Sequence, residues 1–228
     1  MNLFIFPFAG GSSYSFDFIK KYISHKIYVV GYPGRGNKMH QELIDDADVL
    51  VNRLYDELKG LLNTPYCFYG HSMGTLISFL LIKKIQQNNL LLPTHLFVSG
   101  RGAPSAPLDD IRYNLPKNEF WQKIKDLGGS PEEIFTNQDL MDFFEPALRA
   151  DIKAIETYQY QPSEPFNFPI SVLLGTDDKV THEEAILWQK ETTLPIKIHY
   201  FDGEHFFIFD HSKEIAELIM SGNNIQNA

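Results

Sequence analysis

Six short runs of apolar, β-branched or aromatic residues punctuate the sequence, at Leu3 to Phe6, Lys26 to Val30, Tyr66 to Tyr69, His95 to Ser99, Ile170 to Leu174 and Lys197 to Phe201. Segments of helical period lie between most of them, and this alternation leaves few folds open. It predicts an α/β chain with a mostly parallel central sheet flanked by helices, because parallel strands need a crossover between them and cannot be joined by a tight turn. One helix is expected from Asp46 to Leu62, where Val49, Leu50, Leu54, Leu58 and Leu61 recur at three- and four-residue steps. Others are expected at Met73 to Gln87, Glu183 to Thr192 and Ser212 to Met220.

The chain of 228 residues fits a single domain, 1–228, with no internal repeat and no linker rich in Pro, Gly or Ser. One connection is too long for a simple crossover: Ser99 to Ile170 spends about 70 residues where a dozen or more suffice. An insertion at about 104–160 is therefore expected, patterned as a helical lid. Phe120, Trp121, Ile124 and Leu127 share one face, and Leu140, Phe143, Phe144, Leu148 and Ile152 share another. Pro116 and Pro131 sit where helices begin, and Pro146 is expected to split or kink the longer stretch.

A hydrophobic content of 43% with 21% charged residues is ordinary for a chain that folds unaided. The formal net charge of −9 argues against a general nucleic-acid or anionic-membrane surface, which needs a basic field. The pairs Lys20-Lys21 and Lys83-Lys84 read as solvated helix surface. Cys67, the single cysteine, lies within the apolar run Tyr66 to Tyr69 and is read as a core thiol. No run of about 18 apolar residues occurs, and Leu3 to Phe6 reads as a strand, not a signal-peptide core, so a cytoplasmic location is expected.

Gly70-His71-Ser72-Met73-Gly74 matches G-x-S-x-G and falls after a predicted strand and before a predicted helix. In that context the serine sits on a sharp turn as a nucleophile, and small residues two positions away let strand and helix approach. Ser72 is the expected nucleophile of an α/β-hydrolase fold, and the Met73 amide at the helix start is an expected oxyanion donor. Pro7-Phe8-Ala9-Gly10-Gly11 follows the first strand, where this fold places its second donor. The Ala9 amide is assigned to it, with the Phe8 amide serving equally well. Leu173-Leu174-Gly175-Thr176-Asp177-Asp178 ends a strand in two carboxylates. Asp178 is preferred as the triad acid from its offset after Gly175, while Asp177 could cap the following turn. Of the eight histidines, His205 lies just past the last strand and completes the chain order Ser, Asp, His, with His211 as its rival. There is no H-x-x-x-H pair, cysteine cluster, Walker motif or dinucleotide glycine motif, so neither a metal nor a cofactor is expected.

Six motifs in order, Phe6-Pro7-Phe8-Ala9-Gly10-Gly11, Tyr32-Pro33-Gly34-Arg35-Gly36, Gly70-His71-Ser72-Met73-Gly74, Ser99-Gly100-Arg101, Leu148-Arg149-Ala150-Asp151 and His205-Phe206-Phe207, closely resemble those of the type II (external) thioesterases. These are the stand-alone editing hydrolases of non-ribosomal peptide and polyketide synthases. The resemblance runs from Leu3 to about Met220 and includes the insertion, where Leu115-Pro116, Leu127-Gly128-Gly129 and Pro131-Glu132 look like that family's lid. It implies hydrolysis of stalled or misprimed acyl and aminoacyl thioesters on the phosphopantetheine arm of carrier domains, which are then the expected partners. The triad carries over to Ser72, Asp178 and His205. Glu204 departs from the pattern, standing where a glycine is frequent before the histidine. Phe120, Trp121, Phe143 and Phe144 are candidate acyl-pocket or carrier-contact residues, and packing of lid against body accounts for them equally well.

Overall fold

In the computed structural model, which describes residues 1–108 and 110–222, all six runs form strands. Residue 109 and residues 223–228 of the expected domain lie outside the described residues. The strands are β1 (Asn2–Phe6), β2 (Lys26–Val29), β3 (Tyr66–His71), β4 (Leu96–Ser99), β5 (Ile170–Gly175) and β6 (Lys197–Phe201). They form one sheet in the order β2-β1-β3-β4-β5-β6, and every neighbouring pair is parallel. Side chains alternate between two buried layers. Phe4, Phe6, Phe68, Val98, Val172 and Leu174 enter one, and Leu3, Ile5, Cys67, Tyr69, Phe97 and Leu173 the other. That two-residue period with both faces apolar is what a sheet covered on both sides requires.

The helices are α1 (Asp17–Lys20), α2 (Ala47–Leu58), α3 (Met73–Gln87), α4 (Lys117–Leu127), α5 (Glu132–Thr136), α6 (Gln138–Glu156), α7 (His182–Ile186) and α8 (Ser212–Gly222). Helices α2 and α3 cover the first layer through Leu50, Leu54, Leu76 and Ile77, and α1 and α8 cover the second through Ile19, Ile215 and Ile219. The Asp46 side chain caps α2 by accepting from Val49 N at 2.9 Å. Two expected helices are shorter than their apolar pattern. The α2 pattern continues past Leu58 only as a 3₁₀ turn over Lys59–Leu61, where Gly60 weakens the helix. Likewise α7 gives way to a 3₁₀ turn over Leu187–Glu191.

The chain steps outward from β1 to β2, then crosses back over β1 to β3 and proceeds the other way. The carboxyl ends of β1 and β3 therefore flank a topological switch point, where sheets of this kind leave a crevice for ligands. Between β4 and β5 the long connection forms α4, α5 and α6. Pro116 and Pro131 stand at the N-caps of α4 and α5. Phe120, Trp121, Ile124 and Ile152 make a small core of their own, while Ala154 and Ile155 at the end of α6 join the first sheet layer. Of the split or kink expected at Pro146, the split does not occur, since α6 runs through it. Pro146 removes one N–H and orphans one carbonyl four residues earlier, and both positions are exposed, so water satisfies what the ring cannot. No helix among the described residues is long and apolar enough to cross a membrane.

Candidate active site

The elbow between β3 and α3 forms because two glycines allow it. A Cβ on Gly70 would collide with the Gly74 carbonyl, and one on Gly74 would collide with the Phe6 carbonyl, so the strand, the turn and β1 pack backbone on backbone. Ser72 between them is forced to φ 54° and ψ −115°, a conformation rare for any residue with a side chain. Its neighbours hold it there. Ser72 N donates to Ser99 O at 2.8 Å, and Thr75 N donates to Ser72 O at 3.1 Å. The buried Thr75 hydroxyl lies 2.8 Å from Gly70 O and 3.0 Å from Ser99 O, and it accepts from Ser99 N at 3.1 Å.

His205 follows β6, and its Nδ1 lies 3.1 Å from Asp178 Oδ2 and 3.3 Å from Oδ1. Both side chains are nearly buried. Asp178 is the carboxylate that reaches the histidine, while Asp177 is exposed and accepts from its neighbour Thr176 Oγ1 at 3.2 Å. Gly175 makes the close approach possible, because a Cβ there would strike the carbonyls of Gly203 and Glu204 on the histidine loop. The opposite nitrogen of His205, Nε2, is buried and free of any protein partner among the described residues. His211 stands elsewhere, with Nε2 2.9 Å from Asp202 O.

A second histidine, His71 within the elbow, lies beside this pair. The His71 ring is 5.1 Å from the His205 ring, and its Nδ1 is 2.9 Å from Ser99 Oγ. Burial, reinforced by the nearby His205, holds its pKa well below the usual imidazole range, so His71 is neutral at pH 7.

The loop after β1 is braced on both sides of the expected donors. The Tyr32 hydroxyl donates to Pro7 O at 3.0 Å, and Gly10 N donates to Asp151 Oδ2 at 2.7 Å. Asp151, fully buried on α6, is also held by Arg35, whose Nη2 donates to Oδ1 at 2.6 Å and whose Nη1 donates to Oδ2. Burial works to lower the Arg35 pKa, but the Asp151 carboxylate outweighs it and the guanidinium ends up raised. Between these braces, the amides of Phe8 and Ala9 donate to no protein acceptor among the described residues, and neither does the Met73 amide at the start of α3. The sequence motifs containing Arg35 and Asp151 were visible, but nothing in either one announces a pair 116 residues apart.

Ser72, Asp178, His205, Phe8 and Ala9 line one cavity of about 670 Å³. Its far wall comes from the insertion, through Ile124, Leu127, Leu148, Ile152 and Ile155. The four aromatic residues singled out in the insertion do not line it. Phe120 and Trp121 are buried in the insertion's own core, with Arg149 stacked 4.1 Å from the Phe120 ring. Phe144 packs against that core, and Phe143, 58% exposed, faces away from it. The aliphatic positions of the same helices turn to the cavity instead. No group of three or more His, Cys, Asp or Glu side chains among the described residues is placed to hold a metal ion.

A parallel sheet with a strained serine elbow at its switch point and a histidine–carboxylate pair opposite defines a hydrolase of the α/β-hydrolase fold. The thioesterase-domain family model matches residues 1–221, and the chain belongs to that family: it is an enzyme that hydrolyses thioesters. It is 34% identical to the gramicidin S biosynthesis protein GrsT of Aneurinibacillus migulanus, over 96% of this chain and 87% of that one. The fold matches that of ClbQ from the colibactin NRPS/PKS pathway with a TM-score of 0.91 at 28% identity, covering 97% of this chain and 95% of that one. The type II thioesterase BorB from the borrelidin biosynthetic cluster matches with a TM-score of 0.86 at 29% identity, over 97% and 90% of the two chains. The resemblance to type II thioesterases expected from the six motifs therefore holds along nearly the whole chain.

Proposed function

We propose that the enzyme removes acyl or aminoacyl groups from the phosphopantetheine arm of carrier domains in non-ribosomal peptide or polyketide synthesis, clearing stalled or misprimed modules. The observation that carries the reading is the convergence, on one cavity roofed by the insertion, of the Ser72 elbow, the His205–Asp178 pair and the uncommitted backbone amides of Phe8 and Ala9. Ser72 Oγ attacks the thioester carbonyl as His205 Nε2 takes its proton. Asp178 holds the ring through Nδ1 and stabilises the imidazolium that forms. The Met73 amide, with that of Ala9 or Phe8, receives the oxyanion, and the pantetheine thiol leaves after taking a proton from His205. Water activated by the same nitrogen then attacks the acyl-serine and releases the acid.

In this reading residues 104–160 form a lid. Gly128 and Gly129, both at positive φ, offer a hinge beside the cavity they line. A tethered thioester needs a channel to Ser72, and carrier contacts remote from the carbonyl then contribute to transition-state binding. The test is kcat/KM for one acyl group presented on a carrier protein, on coenzyme A and as a simple oxygen ester. Preference for the carrier by about tenfold, equivalent to ~1.4 kcal/mol, is the expected result. An oxygen ester that outperforms both thioesters would replace this reading with a small-molecule carboxylesterase.

A further inference from the structure

The sequence contains five arginines, and four of them hold carboxylates: Arg35 with Asp151, Arg53 with Glu57, Arg112 with Glu156 and Arg149 with Glu145. The guanidinium of the fifth, Arg101, makes no hydrogen bond and no ion pair among the described residues, yet it is largely enclosed and lines the cavity that contains Ser72 and His205. Burial, with a contribution from Arg112, lowers its pKa to about 10, while Glu156 and Glu184 act the other way. It remains charged at neutral pH. A guanidinium has five N–H donors and no acceptor, and on the cavity wall these donors are open to whatever oxygen enters.

Its backbone is fixed close to the reacting groups. The residue before it, Gly100, stands at φ +61°, and a Cβ there would lie 3.3 Å from His205 Cε1. The Arg101 carbonyl accepts from Trp188 Nε1 at 3.3 Å, which ties the segment to the 3₁₀ turn over Leu187–Glu191. The carboxylates that act on Arg101 are otherwise engaged. Glu156 accepts from Arg112 Nε at 2.7 Å and from the Arg112 and Tyr113 amides, and Glu184 accepts from Thr181 N at 2.8 Å. Among the groups that act on Arg101, one cation, Arg112, is set against two anions, Glu156 and Glu184. A neutral ligand rich in carbonyl oxygens matches a guanidinium whose charge is offset in this way.

Resting on the carrier-thioester reading, we infer that Arg101 is a substrate-binding residue that hydrogen-bonds amide carbonyl oxygen of the pantetheine arm. The arm carries an amide joined through a two-carbon spacer to the thioester sulfur, and a second amide further along. Its carbonyls therefore pass the cavity wall on the leaving-group side of Ser72. Amide oxygen can also come from a peptidyl or N-acylated acyl group, and the substrates of the test separate the two sources.

The experiment compares wild-type enzyme with Arg101→Met, which keeps length and removes every donor. One simple alkanoyl group is presented as the pantetheine thioester, the N-acetylcysteamine thioester, the S-ethyl thioester and the ethyl ester. Two further S-ethyl thioesters carry an N-acylated aminoacyl group and a dicarboxylic acyl group. The wild-type preference for thioester over ethyl ester tests the thioester reading by itself, and the variant-to-wild-type ratios test Arg101. The expected result is a fall of about tenfold or more in kcat/KM, mostly through KM, for the pantetheine and N-acetylcysteamine thioesters, equivalent to ~1.4 kcal/mol. The alkanoyl S-ethyl thioester, which has no amide, should fall far less. Equal falls across all alkanoyl thioesters would make Arg101 structural and overturn the inference. Selective loss confined to the N-acylated or the dicarboxylic acyl group would place its ligand on the acyl side and overturn it too. If Arg101→Met does not fold, Arg101→Lys, which keeps the charge and loses the planar donor fork, is read by the same ratios.

Discussion

At Ser72, a backbone conformation that costs about 1–3 kcal/mol is maintained by the contacts of Gly70, Gly74, Thr75 and Ser99 around it. Strain of that kind persists only where the surroundings over-determine it, and its effect here is to raise the serine side chain above the end of the sheet. Ser72→Ala should reduce turnover by roughly 10⁴ to 10⁶ with an unchanged melting temperature, because the elbow depends on the backbone and not on Oγ. More than a tenth of wild-type activity in that variant would remove the nucleophile assignment. The acid can be tested against its neighbour. Asp178→Asn puts an amide where His205 Nδ1 needs an acceptor, favours the wrong tautomer and should cost up to about 10⁴ in kcat, whereas Asp177→Asn alters only an exposed contact to Thr176 and should be mild. The opposite ranking would transfer the role to Asp177. Much of this site was readable from residue types and order, since the elbow glycines, the chain order Ser, Asp, His and the position of each group after a strand are properties of the sequence. The neutral His71 and the place of Arg101 on the cavity wall were not readable, because burial and shared lining exist only once distant segments meet.

Among the elements, α6 joins the insertion to the loop after β1. Leu148 on α6 packs so closely on Gly10 that a Cβ there would lie 2.7 Å from its Cδ2, and one turn later Asp151 accepts from Gly10 N while holding Arg35. The loop bearing the Phe8 and Ala9 amides is thus fixed by a helix that belongs to the insertion, and by an ion pair withdrawn from water. Removing one member of such a pair strands the other. Asp151→Ala should therefore destabilise the protein by about 3–5 kcal/mol, read as a lower denaturant midpoint with an unchanged slope. Replacing Arg35 and Asp151 together by apolar residues should be less damaging than the sum of the single changes. If the single variant unfolds within about 1 kcal/mol of wild type, the pair does not hold the loop. Pattern alone placed the helices of the insertion and the prolines that start them. It could not choose between a split and a kink at Pro146, because the consequence of a missing N–H depends on whether the orphaned carbonyl meets solvent, and periodicity does not carry that information.

For the molecule as a whole, acid is the condition under which buried histidine opposes the fold. The pKa values of His25, His71, His95 and His199 are all depressed, in each case chiefly by burial. His95 is the best defined of them. It stacks 4.0 Å from the Phe97 ring between sheet and α8, its Nε2 lies 2.9 Å from Ser171 Oγ, and burial lowers it to about 4, with Lys197 and His199 adding to the effect. The unfolded chain binds protons at these positions near pH 6.5, while the folded chain resists them, so the unfolded state holds more protons as the pH falls. The stability these neutral rings contribute is complete above about pH 6.5 and declines as the pH drops through the interval down to the folded pKa. The melting temperature should accordingly fall between pH 7 and pH 5, at constant ionic strength. His95→Gln, which retains a polar side chain near Ser171 but cannot ionise, should be less stable than wild type at pH 7 and should show a shallower decline toward pH 5. Parallel pH profiles for the two proteins would mean that His95 takes up its proton alike in the folded and unfolded chain, and that the acid sensitivity arises elsewhere.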